Sequence, residues 1–597
     1  MRRTAKLASS IAHINGQKVV GAEAYTSEPE SGRWQEYPFA LKAVGDKAFT
    51  EGINRMVVHR YAMQPHSNAV PAMTLGPWGI HFDRTNTWWE PARAWMDYLN
   101  RCQTLLQEGL FVADLAYFTG DNVVGYTKVH RNELNPVPPE GYDYDLMNTE
   151  TLLNRAWIEQ GRLRLPDGMS YRILVLQEQS YITLGLLRKL REMVEQGLVI
   201  VGARPHQTVG LQSYSITEEK EFEQLCDELW GKNMATMIDR NIGKGRVFWE
   251  ISLNLNQVFR QIQLKPDFEV GDNPNSAPIR YIHRQIGDTD VYFVTNQRRT
   301  PEDIICNFRV EGKVPEFWNP LTGERSRALV YQKNEGMTSV PIQLDEYGSV
   351  FVVFRSDLPE QTAIRSIYKD SECLVDASVV SVEEQEQAKY FGVKDDFSIS
   401  LWVKPESDAM LNTDNPMGYI SYPWTEYYAI YPSHGELLYG TGHATCGMAI
   451  GRNGVAVWEN AKGYPEFKMA VEKPISGWSH ICLVYKEGAP HIYINGEYVT
   501  YKTRSLQTIH PGLNPTTLKE GASYYNGDMS VPVLFQRVLS NKEISRLAAE
   551  GYVKKADERA LNWVPYADNR FLLAWHDGNY DFITSDGVKK KIKVFSF

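Results

Sequence analysis

The chain has 597 residues, 43% of them hydrophobic and 23% charged, with a net charge of −10. Those proportions belong to globular domains, roughly three to five of them at about 100–200 residues each. The acidic balance argues against a nucleic-acid partner held through phosphates, and no apolar run approaches the roughly 20 residues of a membrane helix, so no membrane span is expected.

The six cysteines (Cys102, Cys226, Cys306, Cys373, Cys446, Cys482) contain no CxxC, which excludes a typical zinc site or a dense disulfide framework. Cys446 and Cys482 share one predicted domain and could pair, but buried free thiols are the better expectation. Aromatic residues are abundant, with 15 Trp, 33 Tyr and 22 Phe. Their faces suit the apolar C–H faces of sugar rings, and they suit large β-rich cores equally well. Residues 1–10 are basic at the start but develop no apolar segment, so the chain shows no export signal and its location is undetermined.

In chain order, Thr4–His13 predicts a short helix. Val19-Val20-Gly21-Ala22-Glu23-Ala24-Tyr25-Thr26 predicts a buried parallel strand that delivers one carboxylate to the rim of a barrel. Pro38–Gly52 predicts a helix with Phe39, Leu41, Val44, Ala48 and Phe49 on its apolar face. A second strand, Arg55–Arg60, ends on His59 and Arg60. A Pro- and Gly-rich loop follows, dense in aromatic and polar residues from Gly76 to Glu90, and then a helix from Trp89 to Glu108. Only two or three β/α units are visible in residues 1–108, where a closed barrel needs eight. The region is therefore expected to be the last part of a larger barrel, the alternative being a small unrelated α/β layer.

Phe111–Phe118 opens a second α/β domain, residues 109–272. Strands at Tyr171–Leu176, Leu198–Gly202 and Gly245–Trp249, with an amphipathic helix from Leu184 to Gln196, imply a doubly wound parallel sheet. No GxGxxG follows these strands and Gly243-Lys244-Gly245 is a plain turn, so no dinucleotide or phosphate site is expected. Residues 273–358 alternate in short segments such as Asp290–Thr295 and Gly348–Phe354, a small β-sandwich. A polar linker, Ser356–Thr362, leads to residues 363–597. There Phe397–Val403, Trp478–Tyr485 and a hairpin turning at Asn495-Gly496 resemble a laminin-G-like, concanavalin-type jelly-roll, with Val533–Phe535 and Glu543-Ile544 as its closing strand and helix.

Hydrolysis of a glycosidic bond takes two carboxyl groups, one on each side of the sugar. Glu23, at a strand end, is the leading candidate; the competing reading is a structural carboxylate paired with a neighbour such as Arg55. His59 and Arg60 end the next strand. Asp83, Arg84 and Asn86 offer hydrogen bonds to hydroxyls, and Trp78, Trp88 and Trp89 offer stacking faces. The dull alternative for that segment is a loop packed on its own tryptophans. Asp143 and Asp145, in Tyr142-Asp143-Tyr144-Asp145, and Asp121 could reach a hard cation, although solvated turns are the stronger expectation. No GxSxG or papain-like surround supports a serine or cysteine nucleophile.

Three segments together, Gly21–Thr26, Gly52–Arg55 with His59–Pro65, and Gly76–Trp89, resemble the C-terminal barrel segments of glycoside hydrolase family 106, bacterial α-L-rhamnosidases of plant and pectic glycans. The likeness runs from about residue 4 to 357. It implies the C-terminal part of a (β/α)8 barrel, a flavodoxin-like domain, inverting hydrolysis, calcium near the sugar and a periplasmic or extracellular location. Glu23 then matches a catalytic glutamate acting as the base on water. His59, Arg60, Trp78, His81, Asp83, Arg84, Asn86 and Trp88 match positions around the sugar, with the metal ligands unassigned. Family members carry the partner acid in an N-terminal region that precedes the Glu23 strand, so this polypeptide alone is expected to be poorly folded in its first hundred residues and inactive. The alternative function is a non-catalytic binding protein that holds an oligosaccharide or polysaccharide on its jelly-roll.

Overall fold

A computed structural model describes the chain except for residues 1, 28–33, 35, 75, 77, 122–127, 178–180, 210–215, 233–236, 251–253, 272–278, 300, 359–362, 378–392, 410, 412–427, 433–434, 463–465, 513–524, 526, 531, 550, 552–560, 567–568, 575–577 and 595–597. The first unit runs α1 (Arg2–Ile14), β1 (Gly21–Ala24), α2 (Pro38–Thr50), β2 (Arg55–Val58) and α3 (Ala92–Leu106). Pro38 opens α2, where its missing N–H costs nothing because first-turn N–H groups have no helical partner. Trp95, Tyr98, Leu99, Cys102 and Leu106 recur at helical spacing and form the buried face of α3. Helix α2 buries Leu41, Ala48 and Phe49 as expected, together with Asp46, while Val44 is 58% exposed, a correction to the predicted apolar face.

Strands β1 and β2 pair in parallel, from Gly21 opposite Arg55 to Ala24 opposite Val58. The predicted burial of the Glu23 strand does not hold. Gly21 and Glu23 are exposed and Ala24 is buried, while across the ladder Val57 is 57% exposed. The reason is that the described sheet holds only these two strands, so one face packs on the helices and the other lies uncovered.

The predicted strand 111–118 is two strands. Leu110–Phe111 (β3) joins the sandwich sheet, and Leu115–Phe118 (β4) joins the doubly wound sheet. Asp114 lies between them, its carbonyl accepting from the Arg172 and Ile173 amides and its carboxylate binding Arg172 and Arg309. The second unit continues with β5 (Tyr144–Met147), β6 (Ile173–Leu176), α4 (Leu184–Gln196), β7 (Val199–Gly202), α5 (Ile216–Trp230), β8 (Met237–Ile242), β9 (Gly245–Glu250) and α6 (Leu255–Gln261). Its strand order is β8-β9-β7-β6-β4-β5, parallel except for β8. Alternate residues enter different cores: Leu115, Tyr117, Ile173 and Val175 meet α6, whereas Ala116, Phe118, Leu174 and Leu176 meet α4. Coverage on both faces is why these strands read as continuous apolar runs.

The acidic segment is not a solvated turn. Asp143 takes an ion pair from Lys6 at 2.7 Å and Asp145 shares a hydrogen bond with His13 Nδ1 at 3.0 Å, all buried, so the β5 segment anchors α1. Asp121 accepts from the Thr149 hydroxyl and, at 2.6 Å, from the Thr183 amide. Residues of α1 thus pack onto the next domain through buried polar contacts.

The sandwich is built from β10 (Ile279–Ile286), β11 (Thr289–Asn296), β12 (Glu302–Phe308), β13 (Val314–Trp318), β14 (Met337–Leu344) and β15 (Ser349–Arg355). One sheet orders Arg325–Arg327, β13, β15, β11, β10 and β3; the other orders Phe268–Val270, β12, β14 and Gln332–Asn334. Tyr292, Val294, Val352 and Phe354 of the first face Cys306, Phe308, Val340 and Ile342 of the second.

The jelly-roll comprises β16 (Phe397–Pro405), β17 (His443–Gly451), β18 (Gly454–Asn460), β19 (Glu466–Glu472), β20 (Ser479–Lys486), β21 (Ala489–Ile494), β22 (Glu497–Tyr501) and α7 (Asn541–Ala549). One sheet orders β22-β21-β20-β16, with Val533–Phe535 also on β16, and β17, β18 and β19 run together in the other. The predicted hairpin turn holds, with φ of 52° at Asn495 and 81° at Gly496. Residues 364–376 pair instead with 578–594 in a separate four-stranded sheet. All six cysteines are free thiols, buried except for Cys373, and Cys446 and Cys482 form no bridge. Among the described residues no helix is long and apolar enough to cross a membrane, which leaves β-barrels unaddressed.

Candidate active site

Three chain segments meet at the carboxyl ends of β1 and β2. The His59 amide donates to the Ala24 carbonyl at 2.9 Å, which extends the parallel ladder one residue past β2. The Gly79 amide donates to Ser27 O, Ile80 N to His59 O, and Phe82 N to Arg60 O. Residues 24–27, 59–60 and 79–82 are therefore laced by main-chain bonds into one rim. Tyr25, with φ of 62°, turns the chain at the strand end and carries its ring into the core beside Trp95.

Glu23 stands on the uncovered face, and its carboxylate accepts from the Thr26 hydroxyl three residues on. Arg55 forms no described ion pair with it: the ladder sets Arg55 opposite Gly21 and Val57 opposite Glu23. Arg60 donates to His59 Nε2 at 2.8 Å, while His59 Nδ1 and Arg60 Nη2 are buried without a hydrogen-bond partner among the described residues. Buried polar atoms are nearly always satisfied, so two orphans side by side mark a place where a polar ligand gains affinity. Burial pushes the His81 imidazole below its usual range; Asp83 pulls it up and Arg60 pushes it further down. His81 is therefore a neutral imidazole near pH 7, and Trp34 covers its ring at 4.2 Å between centroids.

The remaining predicted residues separate into two sets. Trp78 is 47% exposed, and Arg84, also exposed, donates to the His66 and Ser67 carbonyls. Asp83, Asn86 and Trp88 are buried and engaged within the loop. Asp83 binds the Thr85 amide and hydroxyl, and Asn86 donates to the Ile80 and His81 carbonyls. Trp88 packs between Phe82 and Trp95 and donates to Glu36 O at 2.9 Å. Glu23, His59, Arg60 and His81 thus form the rim itself, and the buried trio builds the loop that holds it.

Sequence reasoning passed over Trp34 and Glu36. Glu36 accepts from the Ser27 hydroxyl, and burial pushes its carboxyl above the usual range, with Ser27 drawing it part of the way back. Nothing local sets Glu36 apart from a surface glutamate; only its tertiary neighbours do. Among the described residues no three His, Cys, Asp or Glu side chains converge as a metal site.

An exposed carboxylate at the end of a parallel strand, with histidine and arginine on the segments laced to that end by main-chain bonds, suits a glycoside hydrolase. The profile of the family 106 glycoside hydrolases, described as alpha-L-rhamnosidase, matches residues 2–333, more than half of the chain, which therefore belongs to that family. Residues 380–545 match the concanavalin A-like lectin/glucanases superfamily, in keeping with the jelly-roll. A curated relative from Formosa agariphila, described as a putative beta-glucuronidase, is 34% identical over 362 residues, 60% of this chain and 29% of the relative. The solved rhamnosidase from Novosphingobium sp. PP1Y matches at a TM-score of 0.53 and 24% identity, over 89% of this chain and 49% of that one. The chain spans less than half the length of either, and the structural likeness speaks to the fold alone.

Proposed function

We propose that the chain serves inverting hydrolysis of α-L-rhamnosides of plant or pectic glycans, with Glu23 as the base that activates water. The observation that carries this reading is the placement of Glu23 on the open face of the β1–β2 pair, at the rim where His59, Arg60 and His81 converge. On this reading residues 1–108 are the closing β/α units of a (β/α)8 barrel, and the 109–272 sheet, whose parallel strands run second-first-third-fourth-fifth, is flavodoxin-like.

In the proposed reaction Thr26 holds one Glu23 oxygen, so the other is free to take the proton of a water attacking the anomeric carbon. Arg60 and neutral His81 hold sugar hydroxyls, and Trp34 over His81 shields one side of the ring from solvent. The partner acid is left unassigned. Calcium belongs to the proposal only through the family; the described side chains form no ligand set for it, and no step is routed through it. A periplasmic or extracellular location is proposed on the same ground.

An activated substrate tests the base alone. A dinitrophenyl α-L-rhamnoside has a leaving group that needs no protonation, so its hydrolysis does not depend on the partner acid. Glu23→Gln is expected to lower that rate by about 100-fold or more, the scale of general-base catalysis. Equal rates for the wild-type and substituted chains would overturn the assignment.

A further inference from the structure

We propose that the jelly-roll is an acid-opened domain carried on an acid-tolerant body: as pH falls below neutral its two sheets lose their packing, while the doubly wound sheet and the small sandwich stay folded. The physical ground is the company that buried histidines keep in the two parts of the chain. In the body, His13 bonds Asp145, and His283 lies between Asp267 and Asp290. His81 and His130 are also buried there, but in loops outside the sheets. In the jelly-roll His480 and His510 are as deeply buried on its strands, and neither is hydrogen-bonded to a carboxylate among the described residues.

His480 stands on β20 opposite Trp402 of β16 and is fully enclosed. Its Nε2 shares a hydrogen bond of 2.8 Å with Ser400 Oγ, and its Nδ1 is buried without a partner among the described residues. An imidazolium there would hold an N–H with no acceptor. The groups facing it are Ser400 and Trp402 from β16 and Asn495 from the β21–β22 turn, none of them charged. His510 belongs to the strand Thr508–Pro511, which pairs with β17 in the other sheet. Its Nδ1 lies 2.9 Å from Val393 O, and a carbonyl only accepts, so that nitrogen carries the proton. Nε2 is then the bare nitrogen and takes the His443 Nδ1–H at 2.9 Å. A second proton on His510 would set two N–H groups face to face. Tyr439 lies flat over the ring at 3.7 Å, and Lys394 and Asp395 flank it from the segment before β16.

Burial pushes both imidazoles down to about 4; at His510 the Val393 bond and Asp395 pull up, while His443 and Lys394 push further down. With folded values below the unfolded value near 6.5, the unfolded jelly-roll binds more protons in acid. The stability these two groups contribute is complete above about 6.5 and is lost as pH falls through about 4. The contribution of His283, raised on folding, is instead complete below 6.5. Burial works against the Asp267 and Asp290 charges, but His283, with Arg309 at one and Lys313 at the other, holds both carboxyls below their usual range. Acid opening does not depend on whether Glu23 is the catalytic base.

Hydrogen exchange of the full chain, read by mass spectrometry as protection factors at neutral pH and at about pH 4.5, tests the proposal. Protection in β16, β20 and Thr508–Pro511 should fall by on the order of 1000-fold or more, and in β6, β7 and β11 by less than about tenfold. His480→Gln and His510→Gln each replace one titrating ring with a neutral amide, and each should limit the jelly-roll's fall to about 100-fold. The change between the two pH values is the readout, so a lower stability at neutral pH does not obscure it. If a variant fails to fold, the comparison of body and jelly-roll in the wild-type chain decides. Equal loss in both parts, protection retained in the jelly-roll, or an unaltered fall in the two variants would overturn the proposal.

Discussion

At position 79 a methyl group has no room. The backbone there has φ of +91°, and a Cβ would stand 2.7 Å from both His59 Nδ1 and His59 O. Gly79 is thus what lets the aromatic loop close over the strand-end histidine. Gly79→Ala combines left-handed strain with a clash against backbone, and it should cost about 1–3 kcal/mol, read as a lower urea midpoint. The residue scale also shows what a motif conceals. His59, Asp83 and Trp88 stand in one recognisable pattern, but Asp83 and Trp88 are consumed by hydrogen bonds and packing within the loop. Residue type and spacing identified the segment; which members face the rim depends on partners far along the chain.

At the scale of elements, α2 is bound to the sandwich through a buried carboxylate. Asp46 is fully buried and accepts from Lys42 at 2.6 Å, from the Tyr98 hydroxyl and from Thr295 at 3.1 Å. Lys42 also donates to Tyr347 O and Ser349 Oγ, so one ion pair joins α2, α3, β11 and β15. Asp46→Ala leaves the Lys42 cation and two hydroxyls without their acceptor, and should destabilise by roughly 3–5 kcal/mol. Thermal unfolding of the purified variant measures it; a loss below about 1 kcal/mol would show that water replaces the carboxylate. Periodicity found α2 and its boundaries to within two residues. It also set Val44 on the apolar face and gave no sign of Asp46, because the helix buries the side that meets a sandwich almost 250 residues away in sequence.

Across the whole molecule, His283 lies buried between Asp267 and Asp290, with hydrogen bonds of 3.0 and 3.1 Å, and Arg309 links Asp267 to Asp114 at the start of the doubly wound sheet. Burial, the largest single influence, disfavours the imidazolium, but the two carboxylates together outweigh it and push His283 up to about 9. A pKa raised on folding contributes stability that is complete below the unfolded value near 6.5 and is lost as pH rises through about 9. The chain should therefore lose on the order of 3 kcal/mol of unfolding free energy between pH 6 and pH 10 from this group. Denaturant titrations across that range should show the slope, and His283→Gln should flatten it. An unchanged slope in that variant would assign the pH dependence elsewhere.

Local pattern by itself determined much of this protein. Continuous apolar runs announced the parallel strands, helical spacing announced α3 and α4, and Asn495-Gly496 announced a hairpin, because in each case the physical cause lies within a few residues. The strand-end positions of Glu23 and His59 were legible for the same reason. Tertiary structure alone decided the rest. It divided 111–118 between two sheets, since either sheet accepts an apolar strand and only Asp114, held by Arg172 and Arg309, sets the break. It turned Asp143 and Asp145 from turn residues into buried anchors, because Lys6 and His13 are more than 130 positions away in sequence. It also left Glu23 on an open face. Which face of a strand is covered depends on what packs against it, and no alternation of residues within the strand encodes that.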